Sequence, residues 1–349
     1  MLSVSKLRNR PRHFSRLVGL SVSEFDTLLE AVEASYEPVQ KQRLSRSNRV
    51  RGLGGGRHLG LSLEHRLLST LLFYRLHVTG LLLSFLFDLD ESNLWRERNW
   101  RMMPVLLEVL PTPMQNHLLS TLEKPKDNSK DNSKERPRKR IGSLQELLST
   151  FPELRDICVD ATEQEVPKPQ NRQDKKFFYS GKAHCHTVKT QITSAGRLVL
   201  HVMGGTPGAV ADRQVLKASG VIPALSQAPT ALKTKVCQGK RPPRLTVRRV
   251  RLDRGYSGIE KEYPTYPRVQ ILAALKGTSR SKVTPLGKIW NQRMVSRGRI
   301  QVEQNIGHLK NWRVLSGIYR AAVSTHEPTV RLVAGLHNFT ILGQLQWEK

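Results

Sequence analysis

The segment Lys124–Arg140 carries eight basic and three acidic residues, two prolines and almost nothing apolar, and repeats Lys-Asp-Asn-Ser at 126–129 and 130–133. A stretch with nothing to bury cannot offset the entropy of ordering it, so it is predicted to be a linker, disordered when free. The apolar residues on its two sides must then build separate cores. Length agrees, because 349 residues make about two domains of roughly 150. The expected organisation is a helical domain over 1–122, a basic linker over 123–142 and an α/β domain over 143–349.

The first part has helical periodicity. Ser21-Val22-Ser23-Glu24 has capping-box spacing, and Phe25, Leu28, Leu29 and Val32 follow at helical intervals. Arg49 to Gly60, with Gly54-Gly55-Gly56-Arg57, is a basic loop that either lies along phosphates or only links. Ser62 is expected to open a helix to about Leu76, Thr79 to cap a short one to Phe87, and Asp90 to cap a third over Glu91–Met103. Pro104 would kink or restart that third helix. Three helices with short turns outline a helix-turn-helix, and the third would present Asn93, Arg96, Arg98, Asn99 and Arg101 to base edges and phosphates. A plain helical bundle with a solvated polar face fits the same pattern.

Past about Ile141 the pattern changes. Leu144, Leu147 and Leu148 suggest a short leading helix. Strand-like runs follow at Ile157–Val159, Thr187–Ile192, Leu198–Met203, Val247–Leu252 and Val269–Leu272. Helices are expected at Val210–Ala218, Ile300–Leu315 and Thr329–Leu345. This is the outline of a mixed α/β domain on a central sheet.

The formal charge is +28, from 57 basic and 29 acidic residues. That surplus argues against an ordinary enzyme of small neutral substrates and for a polyanionic partner, most often nucleic acid. Cys158, Cys185 and Cys237 are too few for a disulfide framework and suit a reducing cytosol. Met1–Arg16 does not resemble a signal peptide, and Leu67–Leu89 is interrupted by Arg75, His77 and Asp88, so no membrane span is expected.

Acidic residues are scarce in the second part, and three stand out. Asp160 closes Asp156-Ile157-Cys158-Val159-Asp160, and Asp253 ends Val250-Arg251-Leu252-Asp253; each is a strand delivering a carboxylate to its carboxyl end. Glu303 lies in an amphipathic helix, with Arg299 four residues before it and Lys310 seven after it on the same face. Two strand-end carboxylates and one helix carboxylate suit a divalent-metal phosphoryl-transfer site, with two Mg²⁺ or Mn²⁺ ions about 3.5–4 Å apart. Three like charges packed together are costly without cations.

These residues resemble the insertion-sequence DDE transposases, specifically insertion-sequence family five and the related Harbinger-type nucleases. The resemblance rests on Gly54-Gly55-Gly56-Arg57 followed by Leu61–Leu68, on Val159-Asp160-Ala161-Thr162-Glu163, on Tyr179–Lys182 and His186–Lys189, on Leu252–Gly258, and on the Arg299, Glu303, Lys310 spacing. It covers roughly residues 14–110 and 155–343. It implies a ribonuclease-H-like (retroviral-integrase-like) fold with Asp160, Asp253 and Glu303 as the triad. It also implies a fourth acidic position, filled by Asp212. The chain departs from the pattern in having Ala211 where relatives usually have histidine, and Ser296 where a tyrosine is frequent.

Lys182, His184 and Lys189 are expected beside the cleft, against phosphate. The His184-Cys185-His186 run lacks the paired ligands of a zinc site. Lys233–Arg254 has nine basic residues and Lys276–Arg299 seven, with Asp253 the one acid between them; Arg254 and Arg299 would line a DNA channel. Trp290 either stacks on a displaced base or packs, and Trp312 is expected to pack. The expected protein is a cytoplasmic, nucleoid-associated transposase. It would bind the double-stranded transposon ends and target as a homodimer or larger assembly, cutting DNA and joining its 3′ ends with two metal ions. Alternatives are a decayed or domesticated relative that only binds DNA, and another ribonuclease-H-like nuclease such as a resolvase.

Overall fold

The computed structural model describes residues 2–45, 60–113, 156–227, 248–263, 269–275, 283–292 and 297–347. Arg57, Cys237, the 123–142 linker and the helix expected around Leu144–Leu148 lie outside the described residues, as do parts of both basic runs. Contacts group the chain into two compact units. One comprises 1–112, 164–167 and 307–349, and the other 113–163 and 168–306.

The first unit is helical. It contains α1 (Val4–Arg8), α2 (Pro11–Val18), α3 (Val22–Leu44), α4 (Leu63–Leu76), α5 (Gly80–Phe87), α6 (Glu91–Arg96) and α7 (Met103–Val109). The caps are the residues the sequence marks. Ser21 and Glu24 close a reciprocal capping box at α3. Ser62, Thr79 and Asp90 accept backbone N–H groups at the starts of α4, α5 and α6. Gly19 ends α2 at φ 85°, and a Cβ there would fall 2.8 Å from the Trp312 ring, so only glycine fits. The third helix does not run unbroken from Glu91 to Met103. Glu97–Met102 widens into a π turn before α7 restarts with Pro104 in its first turn. Proline lacks an N–H and its ring would crowd the carbonyl of Trp100; a wider turn relieves both.

The core of this unit joins Phe14 and Phe25, edge to face at 5.3 Å, to Leu67, Leu68, Leu71 and Leu72 of α4, with Leu83, Phe87, Val105 and Leu106. The C-terminal helix (His326–Trp347) belongs to the same unit and contributes Leu332, Val333 and Leu336. Gln164 ties this part together. Its amide donates to the carbonyls of Val314 (2.7 Å) and Gly317 (2.8 Å), and its oxygen lies 3.0 Å from His326 Nε2.

The second unit is built on strands β1 (Asp156–Glu165), β2 (Tyr179–Ser180), β3 (Cys185–Ala195), β4 (Leu198–Pro207), β5 (Arg248–Leu252) and β6 (Val269–Ala273). β1 and β5, and β5 and β6, run parallel; β3 pairs antiparallel with β2 and β4 and neighbours β1. All five strand-like runs fall on strands. Helices α8 (Arg172–Phe178), α9 (Asp212–Ala218), α10 (Val221–Gln227), α11 (Pro285–Trp290) and α12 (Arg297–Lys310) follow in the chain, and the helix His326–Trp347 is α13. Leu216, Val221, Ile222 and Leu225 of α9 and α10 pack on Ile157, Val159, Leu200, Val250 and Leu252 of the sheet. A sheet covered in this way is buried along its parallel strands, which is why these read as continuous apolar runs. No helix among the described residues is long and apolar enough to cross a membrane.

Candidate active site

β1 and β5 pair in parallel register, with Val159 opposite Leu252 as the last pair. The residue after each is an aspartate, so Asp160 and Asp253 stand side by side. Asp253 follows the end of β5 as expected, but β1 runs on through Asp160 to Glu165, so Asp160 lies in mid-strand and not at the strand end that the sequence suggested. Glu303 comes from α12, one turn after Arg299.

One guanidinium joins all three. Arg299 Nη1 donates to Asp253 Oδ1 at 3.0 Å and Nη2 to Asp160 Oδ2 at 3.3 Å, while Glu303 Oε1 is 3.0 Å from the same Nη2. Burial raises the Asp160 carboxyl above its ordinary range, opposed by Arg299 and by the Ala161 N–H donated to Oδ1. Asp253 and Glu303 are more open, with side chains 41% and 55% exposed. Beneath them Tyr256 is buried, and burial together with Asp212, Asp160 and Asp253 strongly raises its phenol.

Asp212 opens α9, after Ala211 at the cap. A Cβ on Gly255 would lie 3.2 Å from its Oδ2, which puts Asp212 against the turn that follows Asp253. Its other oxygen is 2.8 Å from Lys189 Nζ. That ammonium also donates to the Val210 carbonyl (2.7 Å) and lies 3.6 Å from Glu163 Oε1. Thr187 Oγ1 donates to the other Glu163 oxygen at 2.8 Å. Gly208 makes room for this arrangement, because a Cβ there would fall 2.1 Å from Thr187 Oγ1. The site is therefore two clusters, each gathered round one internal cation. Five carboxylates against Arg299 and Lys189 leave a formal charge of −3.

The oxygen donors are those a hard divalent cation takes, and three of them already face a single positive group. Among the described residues no three His, Cys, Asp or Glu side chains stand close enough together to enclose an ion as they are placed. The guanidinium lies where the carboxylates converge. The same holds for His184, Cys185 and His186, and burial pushes the Cys158 thiol up to about 11, which leaves it unreactive.

The residues expected to touch DNA divide sharply. Lys182 and Arg96 are exposed, and Asn93 is half-buried. Arg98 is 9% exposed, its guanidinium carbon 3.5 Å from the Phe73 ring centroid, so it faces inward, away from any base. Burial lowers its pKa. Arg101 pairs with buried Glu97 at 2.9 Å, which Arg66 (3.8 Å) and the Tyr36 hydroxyl (3.2 Å) also reach. Asn99 donates to the Trp95 carbonyl. Lys189, expected on phosphate, is buried among its acids. Arg254 is placed in the turn after Asp253, and Lys310 ends α12 in the helical unit. Glu163 and Thr187 are not singled out as site residues from the sequence, although both lie in the stretches that carry the family resemblance, Val159–Glu163 and His186–Lys189.

The family described as DDE superfamily endonuclease matches residues 159–338, just over half of the chain, and the chain belongs to that family. It is also 24% identical, over 337 residues and 95% of each chain, to a probable transposase for insertion sequence element IS702 from Microchaete diplosiphon. The two comparisons together support an insertion-sequence DDE transposase.

Proposed function

We propose that this chain binds the terminal inverted repeats of its element, cleaves DNA there and joins the freed 3′ ends to target DNA, with Asp160, Asp253, Glu303 and Asp212 holding divalent metal. The single observation that carries this reading is the β1–β5 register, which sets Asp160 beside Asp253 with Glu303 converging on the same cationic position. A residual charge of −3 in a chain of +28 favours further cations there. Two bound Mg²⁺ or Mn²⁺ ions would activate the attacking water or 3′-hydroxyl and stabilise the leaving oxygen. The chain's own part is to hold the carboxylates in register: Lys189 fixes Asp212, and the β1–β5 pairing fixes Asp160 and Asp253. No side chain in the triad acts as a nucleophile, so no covalent protein–DNA intermediate is expected.

The antiparallel β3–β4 hairpin, central β1, and parallel β5 and β6 support a ribonuclease-H-like fold. Helices α4, α5 and α6 are the proposed helix-turn-helix, with Asn93 and Arg96 towards DNA. Arg57, Lys182, Arg254 and Lys310 are proposed phosphate contacts, and a homodimer or larger assembly on DNA in the cytoplasm completes the reading.

The test is purified protein, Mn²⁺ and a labelled duplex carrying the element's end. Wild-type protein should cut at the end and yield joined products. Asp253→Asn should bind the duplex with its affinity nearly intact and cut at least ~10³-fold more slowly. Retained cutting removes Asp253 from the site. Binding without cutting by the wild type would identify a DNA-binding relative that has lost its activity, and nicks at structured DNA without joining would identify another nuclease class.

A further inference from the structure

We infer that Arg299 is a built-in counter-ion that competes with divalent metal for Asp160, Asp253 and Glu303; the inference rests on the metal-binding reading of this site. Three carboxylates from three separate elements meet one guanidinium, at 3.3, 3.0 and 3.0 Å. Both terminal nitrogens are engaged, and Nη2 serves Asp160 and Glu303 together. The remaining nitrogen, Nε, is buried without a hydrogen-bond partner. Among the described residues, then, the polar partners of the guanidinium are the acids. Lys189 shows the contrast, because its ammonium has a backbone carbonyl besides two acids, as a permanently seated cation should.

Position makes the exchange possible. Arg299 lies in the first turn of α12 and reaches the acids through a long side chain, so it can leave by rotating its own bonds while the helix stays still. With the guanidinium among them, the three carboxylates do not stand close enough together to enclose an ion. Metal would take the carboxylate oxygens that the guanidinium now occupies, and one lone pair cannot serve both. Metal must therefore displace the arginine, and the arginine must weaken metal. In return it partly neutralises a cluster whose members would otherwise repel one another in the metal-free protein.

The experiment uses the full chain without DNA, so no turnover enters the readout. Mn²⁺ binding is followed by electron paramagnetic resonance, and melting is recorded in chelator and in saturating Mn²⁺. Arg299→Gln should bind Mn²⁺ about tenfold or more tightly than wild type. It should melt lower than wild type in chelator and gain more from Mn²⁺. Arg299→Lys keeps a charge but cannot span three carboxylates, and should fall between the two; it also carries the test if the glutamine variant fails to fold. Equal or weaker Mn²⁺ binding by the variants than by wild type overturns the competition. Absence of Mn²⁺ binding in all three proteins overturns the metal reading itself, a different and recognisable result.

Discussion

Replacing Lys189 with methionine separates a structural cation from a DNA contact. Its ammonium is 2.8 Å from Asp212, 3.6 Å from Glu163 and 2.7 Å from the Val210 carbonyl, and its side chain is 7% exposed. Unit charges at such distances attract by about 5 kcal/mol at an effective dielectric near 20, and the desolvation of the ammonium cancels much of this. Removing one partner of a buried pair typically costs about 3–5 kcal/mol. Asp212 and Glu163 keep 30% and 18% of their side-chain exposure, so water partly compensates them and about 3 kcal/mol is expected. In a body of this size that corresponds to a melting shift of roughly 6–12 °C. Adding Asp212→Asn removes one stranded charge and should recover a large part of the loss, so the double-mutant cycle should show clear coupling. Exposed Lys182→Met is the control, with a shift within about 0.5 kcal/mol. Denaturant melts of the four proteins of the cycle and of the Lys182→Met control measure all of this. A cost for Lys189→Met below about 1 kcal/mol, or no coupling to Asp212, would refute the counter-ion role and return Lys189 to the phosphate-binding set.

Three further outcomes are expected. His326 is buried and held at about 4 by desolvation, against an ordinary 6.5. Above pH 6.5 neither the folded nor the unfolded chain protonates it. As pH falls from 6.5 towards 4, only the unfolded chain takes the proton and stability is lost, by at most about 3 kcal/mol; His326→Gln should flatten this part of the urea-midpoint profile, and an unchanged slope would remove His326 from it. Arg98→Met should cost about 1–3 kcal/mol by losing its packing on Phe73, with end binding by the folded protein unchanged. Arg96→Ala should leave stability alone and lower the salt slope of end binding by about one; loss of binding by fully stable Arg98→Met would put Arg98 back on DNA.

Local chemistry made much of this fold legible in the chain. Ser21, Ser62, Thr79 and Asp90 cap helices because their short oxygens satisfy N–H groups that no helix can satisfy itself, and that requirement is independent of tertiary context. The strand runs were legible from their apolar residues, but β1 does not end at Asp160 as read from the sequence; it runs on to Glu165, whereas β5 ends just before Asp253. The register that makes Asp160 and Asp253 neighbours was not legible, because it is set by pairing across more than ninety residues. The inward turn of Arg98 could have been read from its spacing, because it stands four residues after buried Leu94 and so shares that helix face. Arg101 likewise meets Glu97, four residues before it.

The charge excess acquires a different meaning once its members are placed. A surplus of +28 invites the view that every arginine and lysine is an electrostatic contact for DNA. Yet Arg98, Lys189, Arg248 and Arg251 are all under 10% exposed, and each is engaged within the protein. Arg98 stacks on Phe73, and Lys189 holds acids. Arg248 donates to the Leu225 carbonyl at 3.1 Å, and Arg251 pairs with Asp156 at 3.0 Å. Cations that are desolvated and paired in the folded protein release no counter-ions when DNA arrives, so they add to the net charge without adding to the salt dependence of binding. Some of them set acids instead: Lys189 gathers Asp212 and Glu163, and Arg251 holds Asp156, as part-buried Arg299 gathers Asp160, Asp253 and Glu303. In this chain an abundance of basic residues serves its scarce acids as much as it serves a polyanion outside.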